Sequence, residues 1–165
     1  MLGRELRTAR LVLTPVNWPD LEDMIALKAD AGAFGQMLGG VRSRFETEKE
    51  MAEDVAFWAR RRIGIFAIRE NGRFVGITGV HERPDGRGIG LRFSIFPWAT
   101  GRGLAREAAA AAIRYVLDEG EPRIVAVAKE DNLASRVVLG SIGMRHVETF
   151  MRDGNTMFLY EITPA

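Results

Sequence analysis

Cysteine is absent from the 165 residues. Disulfides, thiolate nucleophiles and cysteine-based metal sites are therefore excluded, and a cytoplasmic location is permitted. Lysine is scarce as well, being confined to Lys28, Lys49 and Lys129, so the basic residues are almost all arginine. With a formal net charge of only +1, the chain lacks the electrostatic footprint of a nucleic-acid binder. No apolar run approaches membrane-spanning length. Arg4, Arg7 and Arg10 crowd the N-terminus with no apolar stretch of secretory-signal type beside them. No spacing suggests a metal site. These absences predict a cytoplasmic protein with neither nucleic acid, membrane nor metal among its partners.

Apolar residues make up 47% and charged residues 27% of the chain, ordinary proportions for a globular fold. The length suits one α/β domain over residues 1–165. Residues 10–16 alternate apolar and polar side chains as a half-buried strand does. Asn17 can cap a helix with Pro19 in its first turn and Leu21, Met24, Ile25 and Leu27 on its apolar face. Residues 31–45 are rich in glycine and poorly periodic, which predicts irregular structure. Thr47 and Glu50 form a capping box that would open a helix with Met51, Val55 and Trp58 on one side. Two strands flank Asn71-Gly72, a strong hairpin signal, and a turn at Pro84-Asp85-Gly86 leads to a strand over 89–96. An alanine-rich helix over 103–119, a strand at 124–127, a helix over 132–142 and a hairpin around Asp153-Gly154 complete the order. The expectation is an α/β fold with a mixed, mostly antiparallel central sheet and helices on both faces.

The segment from Ser94 to Ala108 carries the chemistry. An apolar strand meets Pro97, then a loop with Gly101 and Gly103, then the alanine-rich helix. Free backbone N–H groups and the positive end of the helix dipole converge there, a ready seat for phosphate or pyrophosphate. Neither a Walker loop nor a dinucleotide fingerprint fits. No lysine follows Gly103, and Arg106 stands where the fingerprint needs a third small residue. A glycine-punctuated turn without any ligand is the plainer alternative.

The loop resembles the acetyl-coenzyme A pyrophosphate loop of the GNAT N-acetyltransferase superfamily, and the element order is similar to that of GNAT proteins. Further matches lie outside the loop. Thr8 to Leu13 with Asp20, Phe74 to Gly79, and Asn132-Leu133-Ala134-Ser135-Arg136 with Gly143-Met144 resemble the ribosomal-protein N-terminal acetyltransferase branch. The likeness implies a GNAT-like acyl-CoA N-acyltransferase fold whose fourth and fifth strands splay around the pantetheine arm. Ser94, Ile95 and Phe96 would then offer backbone groups to that arm. Thr100, Gly101, Arg102, Gly103, Leu104 and Ala105 would hold the pyrophosphate. Asn132 would lie beside the pantetheine, unless it is merely a helix cap, and Ser135 near the sulfur, unless it only packs.

The tyrosine that often serves GNAT enzymes as general acid would fall near Leu139, which has no proton to give. Ser135 is then the candidate to hydrogen-bond the leaving thiolate. Many relatives place a carboxylate where this chain has Gly90-Leu91-Arg92. His81 and Glu82 are the nearest titratable candidates for the base, with an ordinary strand-end histidine and a surface glutamate as the alternative. The resemblance implies an acetyl-CoA-dependent N-acetyltransferase acting on a primary amine, either a protein N-terminus or a small molecule. It also admits a homodimer. A non-catalytic acyl-CoA-binding module that has lost its acid and base is the competing expectation.

Overall fold

A computed structural model describes residues 4–165, so the first three residues of the expected 1–165 domain lie outside it. Among the described residues eight strands form one sheet in the order β1-β2-β3-β4-β5-β6-β8-β7. They are β1 (Leu6–Arg7), β2 (Val12–Pro15), β3 (Ile65–Glu70), β4 (Arg73–Glu82), β5 (Ile89–Ile95), β6 (Ile124–Lys129), β7 (Arg145–Arg152) and β8 (Asn155–Ile162). The helices are α1 (Leu21–Ala29), α2 (Ala31–Phe34), α3 (Arg44–Arg61), α4 (Leu104–Asp118) and α5 (Leu133–Ser141). Every neighbouring pair is antiparallel except β5 and β6. No helix among the described residues is long and apolar enough to cross a membrane.

Local signals decide most elements. Asn71 and Gly72 both take positive φ, 51° and 79°, as a two-residue hairpin turn requires, and Asp153 and Gly154 repeat the solution between β7 and β8. The expected start of α1 is a single 3-10 turn, Trp18–Asp20, capped by Asn17. The aperiodic 31–45 stretch is only partly irregular. Asp30 caps α2 by accepting from the Ala33 N–H at 3.0 Å, and Phe34 is fully buried. The longest helix begins a turn before Thr47. Ser43 and Glu46 form the capping box, and Thr47 is buried with its hydroxyl donating to the Ser43 carbonyl. Both tetrapeptides satisfy the capping pattern, and the earlier one wins.

Helices cover both faces of the sheet. Leu91 and Ser94 are three apart on β5 and so point to opposite sides. Leu91 joins Ala109, Ile113 and Val116 of α4 in one apolar cluster, while the Ser94 hydroxyl donates to the Ala33 carbonyl of α2 at 2.7 Å. The small residues Ala108, Ala109 and Ala112 are fully buried and let α4 lie close to the strands.

Candidate functional site

One register pair organises the site. The parallel strands β5 and β6 are joined at Gly90 and Val125 alone, and beyond that point they part. The opening between them is the core of a cleft of about 980 Å³, ample for a large ligand. Its walls include Phe93, Ser94 and Ile95 from β5, Ala126 to Lys129 from β6, and Asn132, Ser135 and Val138 around α5.

The β4–β5 ladder shows which backbone groups face that opening. The Phe96 N–H donates to the Val75 carbonyl and the Arg83 N–H to the Gly88 carbonyl. Alternation along an antiparallel pair then turns Gly90, Arg92, Ser94 and Phe96 toward β4. Phe93 and Ile95 are left with their N–H and C=O groups directed into the gap. This corrects two of the three expected backbone contacts. Ile95 keeps its place, Phe96 and Ser94 are committed to β4, and Phe93 joins.

Past β5 the chain makes a 3-10 turn, Pro97–Ala99, and enters the glycine loop. Gly101 and Gly103 have φ of 85° and 78°, a left-handed backbone that side chains resist. Gly103 is the N-cap of α4 with no side chain bonded to the first turn, and the first bond back into the helix is Glu107 N–H to the Gly103 carbonyl. The N–H groups of Leu104, Ala105 and Arg106 are therefore open donors at the positive helix end. Glu107 would oppose an anion there, but its carboxylate is held by the Thr8 hydroxyl and by the backbone and side chain of Arg10. Thr100, Gly101, Gly103, Leu104, Ala105 and Arg106 line the cleft. The Arg102 side chain does not. Its guanidinium is paired with both oxygens of Glu70, at 2.9 and 2.6 Å, whereas Arg106 lines the cleft.

Asn132 and Ser135 both reach the cleft. The Asn132 side chain caps α5 by accepting from the Ser135 N–H at 3.2 Å, so its capping role is present alongside its position in the wall. Leu139 is buried in the core.

The opposite end of the cleft is rich in charge. Lys28 on α1 is 1% exposed and donates to Glu50 at 2.7 Å, while Arg42 reaches the other Glu50 oxygen at 2.8 Å. Asp54, one helical turn on from Glu50, shares that face of α3. Burial pushes its carboxyl up to about 6, against the opposing pull of Lys28 and Arg92. No hydrogen bond among the described residues engages it. His81 and Arg92 project from the same sheet face, being diagonal neighbours across the β4–β5 ladder. Burial, then Arg92 and Arg83, drive the His81 imidazole down to about 3. It is neutral at physiological pH and a feeble proton acceptor, contrary to the unperturbed behaviour expected of it. Glu82 is exposed at the rim.

Asp54 is the group that sequence reading missed. The signal available was a carboxylate at helical spacing from Glu50 and Phe57, one step round from the apolar stripe of Met51, Val55 and Trp58. Among the described residues, no group of three or more potential ligands could hold a metal ion.

Known proteins give the geometry a context. A family profile, the acetyltransferase (GNAT) domain, matches residues 10–145. A mycothiol acetyltransferase of Amycolatopsis mediterranei is 29% identical over 171 residues, covering 92% of this chain, and the chain spans 57% of that relative's length. An acetyltransferase from Agrobacterium tumefaciens str. C58 has a similar fold, with a TM-score of 0.84 at 24% identity over 99% of this chain and 96% of that one. RimL, a ribosomal L7/L12 alpha-N-protein acetyltransferase in complex with coenzyme A, gives a TM-score of 0.80 at 16% identity, covering 97% and 98%. At these identities the structural likeness shows the fold.

Proposed function

Because the chain belongs to the GNAT acetyltransferase family, we propose that its cleft binds acetyl-CoA and transfers the acetyl group directly to a primary amine. The parting of β5 from β6 directly before an uncapped, glycine-entered helix is the observation that carries this reading. The residues present fit the donor. Open N–H groups at the start of α4 suit the pyrophosphate, and nothing lies within 4 Å of a Cβ placed on Gly101, so that side of the loop is free. Phe93 and Ile95 can bond an extended pantetheine as an added strand would.

When bound, acetyl-CoA supplies a thioester carbonyl at which a C–N bond forms and a C–S bond breaks, the amine losing one proton and the thiol leaving with one. The chain's own groups are placed for the proton traffic. Asp54 is ionised near neutral pH yet basic for a carboxylate, the combination a general base needs. A backbone N–H of Phe93 or Ile95 would stabilise charge on the carbonyl oxygen, worth ~3 kcal/mol in a well-aligned site. The Ser135 hydroxyl lines the cleft beside Asn132 and is the candidate partner of the departing sulfur.

Thiol release from acetyl-CoA, measured over a panel of primary amines and peptides, tests the reading. Amine-dependent release supports it. Calorimetric binding of acetyl-CoA with no release for any amine would assign the fold to a non-catalytic acyl-CoA-binding module.

A further inference from the structure

At the acceptor end of the cleft one guanidinium has no bonded carboxylate among the described residues. On its floor, Lys28, Arg42 and Arg92 face Glu50 and Asp54. Glu50 is consumed by Lys28 and Arg42, one carboxylate oxygen to each. Arg83, the other guanidinium close to Arg92, is taken by Asp85, with its terminal nitrogen 2.7 Å from the carboxylate. His81 adds no charge. Arg92 and Asp54 feel one another's field, but no ion pair or hydrogen bond among the described residues engages either group.

A guanidinium drawn out of water without a bonded partner is costly, and its planar fork is satisfied best by a carboxylate. The surroundings leave room for one. Arg92, Asp54 and His81 all line the open cleft. The donor's phosphates cannot fill the need. Their loop lies beyond the C-terminal end of β5, whereas Arg92 sits at the strand's middle, three residues before that end.

Resting on the acetyltransferase reading above, we propose that the acceptor is a compact zwitterion, a free amino acid or amino-acid-like metabolite, whose carboxylate pairs with Arg92 while its amine faces Asp54. A polyamine, an aminoglycoside or a peptide N-terminus would bring an amine without that adjacent carboxylate and leave Arg92 unpaired. Asp54 and Arg92, on separate elements and unpaired, offer the two halves of such a ligand their complementary charges.

The test uses wild-type protein with acetyl-CoA and a panel of free L-amino acids, each matched by its carboxamide and its decarboxylated amine. The expected result is at least one amino acid whose kcat/KM exceeds that of its own carboxamide by about 10²-fold. This would run against amine basicity, which favours the amide. Compared at a pH high enough to keep Asp54 ionised without Arg92, Arg92→Gln should raise KM for that acid about 30-fold or more while the KM of its carboxamide stays put, with acetyl-CoA binding retained in calorimetry. Carboxamides and plain amines used as well as the acids would overturn the proposal, whether or not the variant folds. An equal rise in KM for acid and carboxamide in Arg92→Gln would overturn it too, since Arg92 would then not be reading the carboxylate. Bound acetyl-CoA with no release for any amine contradicts the transferase reading itself, and the acceptor inference falls with it.

Discussion

Asp54 is held between two opposing forces. Burial resists its ionisation and raises its carboxyl to about 6, while Lys28 and Arg92 pull the other way. Native protein therefore keeps a proton on Asp54 at pH values where the unfolded chain has released it. That contribution to stability is complete below about pH 4, the unfolded value, and is lost as pH rises to about 6. Asp54→Asn should consequently stabilise the protein near neutral pH by about 1–3 kcal/mol, an advantage that vanishes below about pH 4. The same change should lower kcat by about 10²–10³-fold and remove the limb of the kcat/KM profile near pH 6. Thermal melts and rate profiles over that range check both halves. An unchanged rate profile would take the base away from Asp54. Ser135→Ala should lower kcat by about 10²-fold with little change in acetyl-CoA affinity. If only stability moves, the serine is a packing residue. His81 was visible in the sequence as the titratable group nearest the role, but its basicity is lost first to burial and then to Arg92 and Arg83, and the burial and Arg92 come from the fold. No local pattern carries that information.

Elements set by short-range chemistry were the legible ones. Asn71-Gly72, Asp153-Gly154 and the run from Pro97 through Gly103 each demand one backbone shape, and each adopts it. Where two local solutions compete, sequence alone does not choose. Ser43 with Glu46 and Thr47 with Glu50 are both capping boxes, and α3 uses the first, which frees Glu50 for Lys28 and Arg42. Strand β1 has two residues and depends on pairing with β2, so it leaves little periodic trace. The glycine loop gives the sharpest prediction at this scale. At φ 78° Gly103 is in a region that valine enters only with strain, and an added side chain would crowd the open donors of α4. Gly103→Val should weaken acetyl-CoA binding by about 10²-fold or more while the fold survives with a modest loss in Tm. Calorimetry on the folded variant decides. Wild-type affinity would show that the loop is only a turn.

At the scale of the molecule, the site exists because one parallel pair is left incomplete in an otherwise antiparallel sheet. Gly90 and Val125 hold β5 to β6, and everything above that pair opens. The charged floor assembles at one end from α1, α3, β4 and β5, and the uncapped helix terminus lies toward the other. The sequence order announced the strands and the loop, but the convergence of Asp54 and Arg92 comes from α3 lying over the sheet, a long-range relation. In the proposed function this opening carries direct acetyl transfer to nitrogen. Its most direct measurement follows thiol and product together, incubating the protein with acetyl-CoA and an accepted amine and quantifying free thiol beside N-acetylated amine by mass spectrometry. One acetylated amine for each thiol released is the predicted result. Thiol released without acetylated amine, or acetyl-CoA bound and left intact with every amine offered, would contradict it.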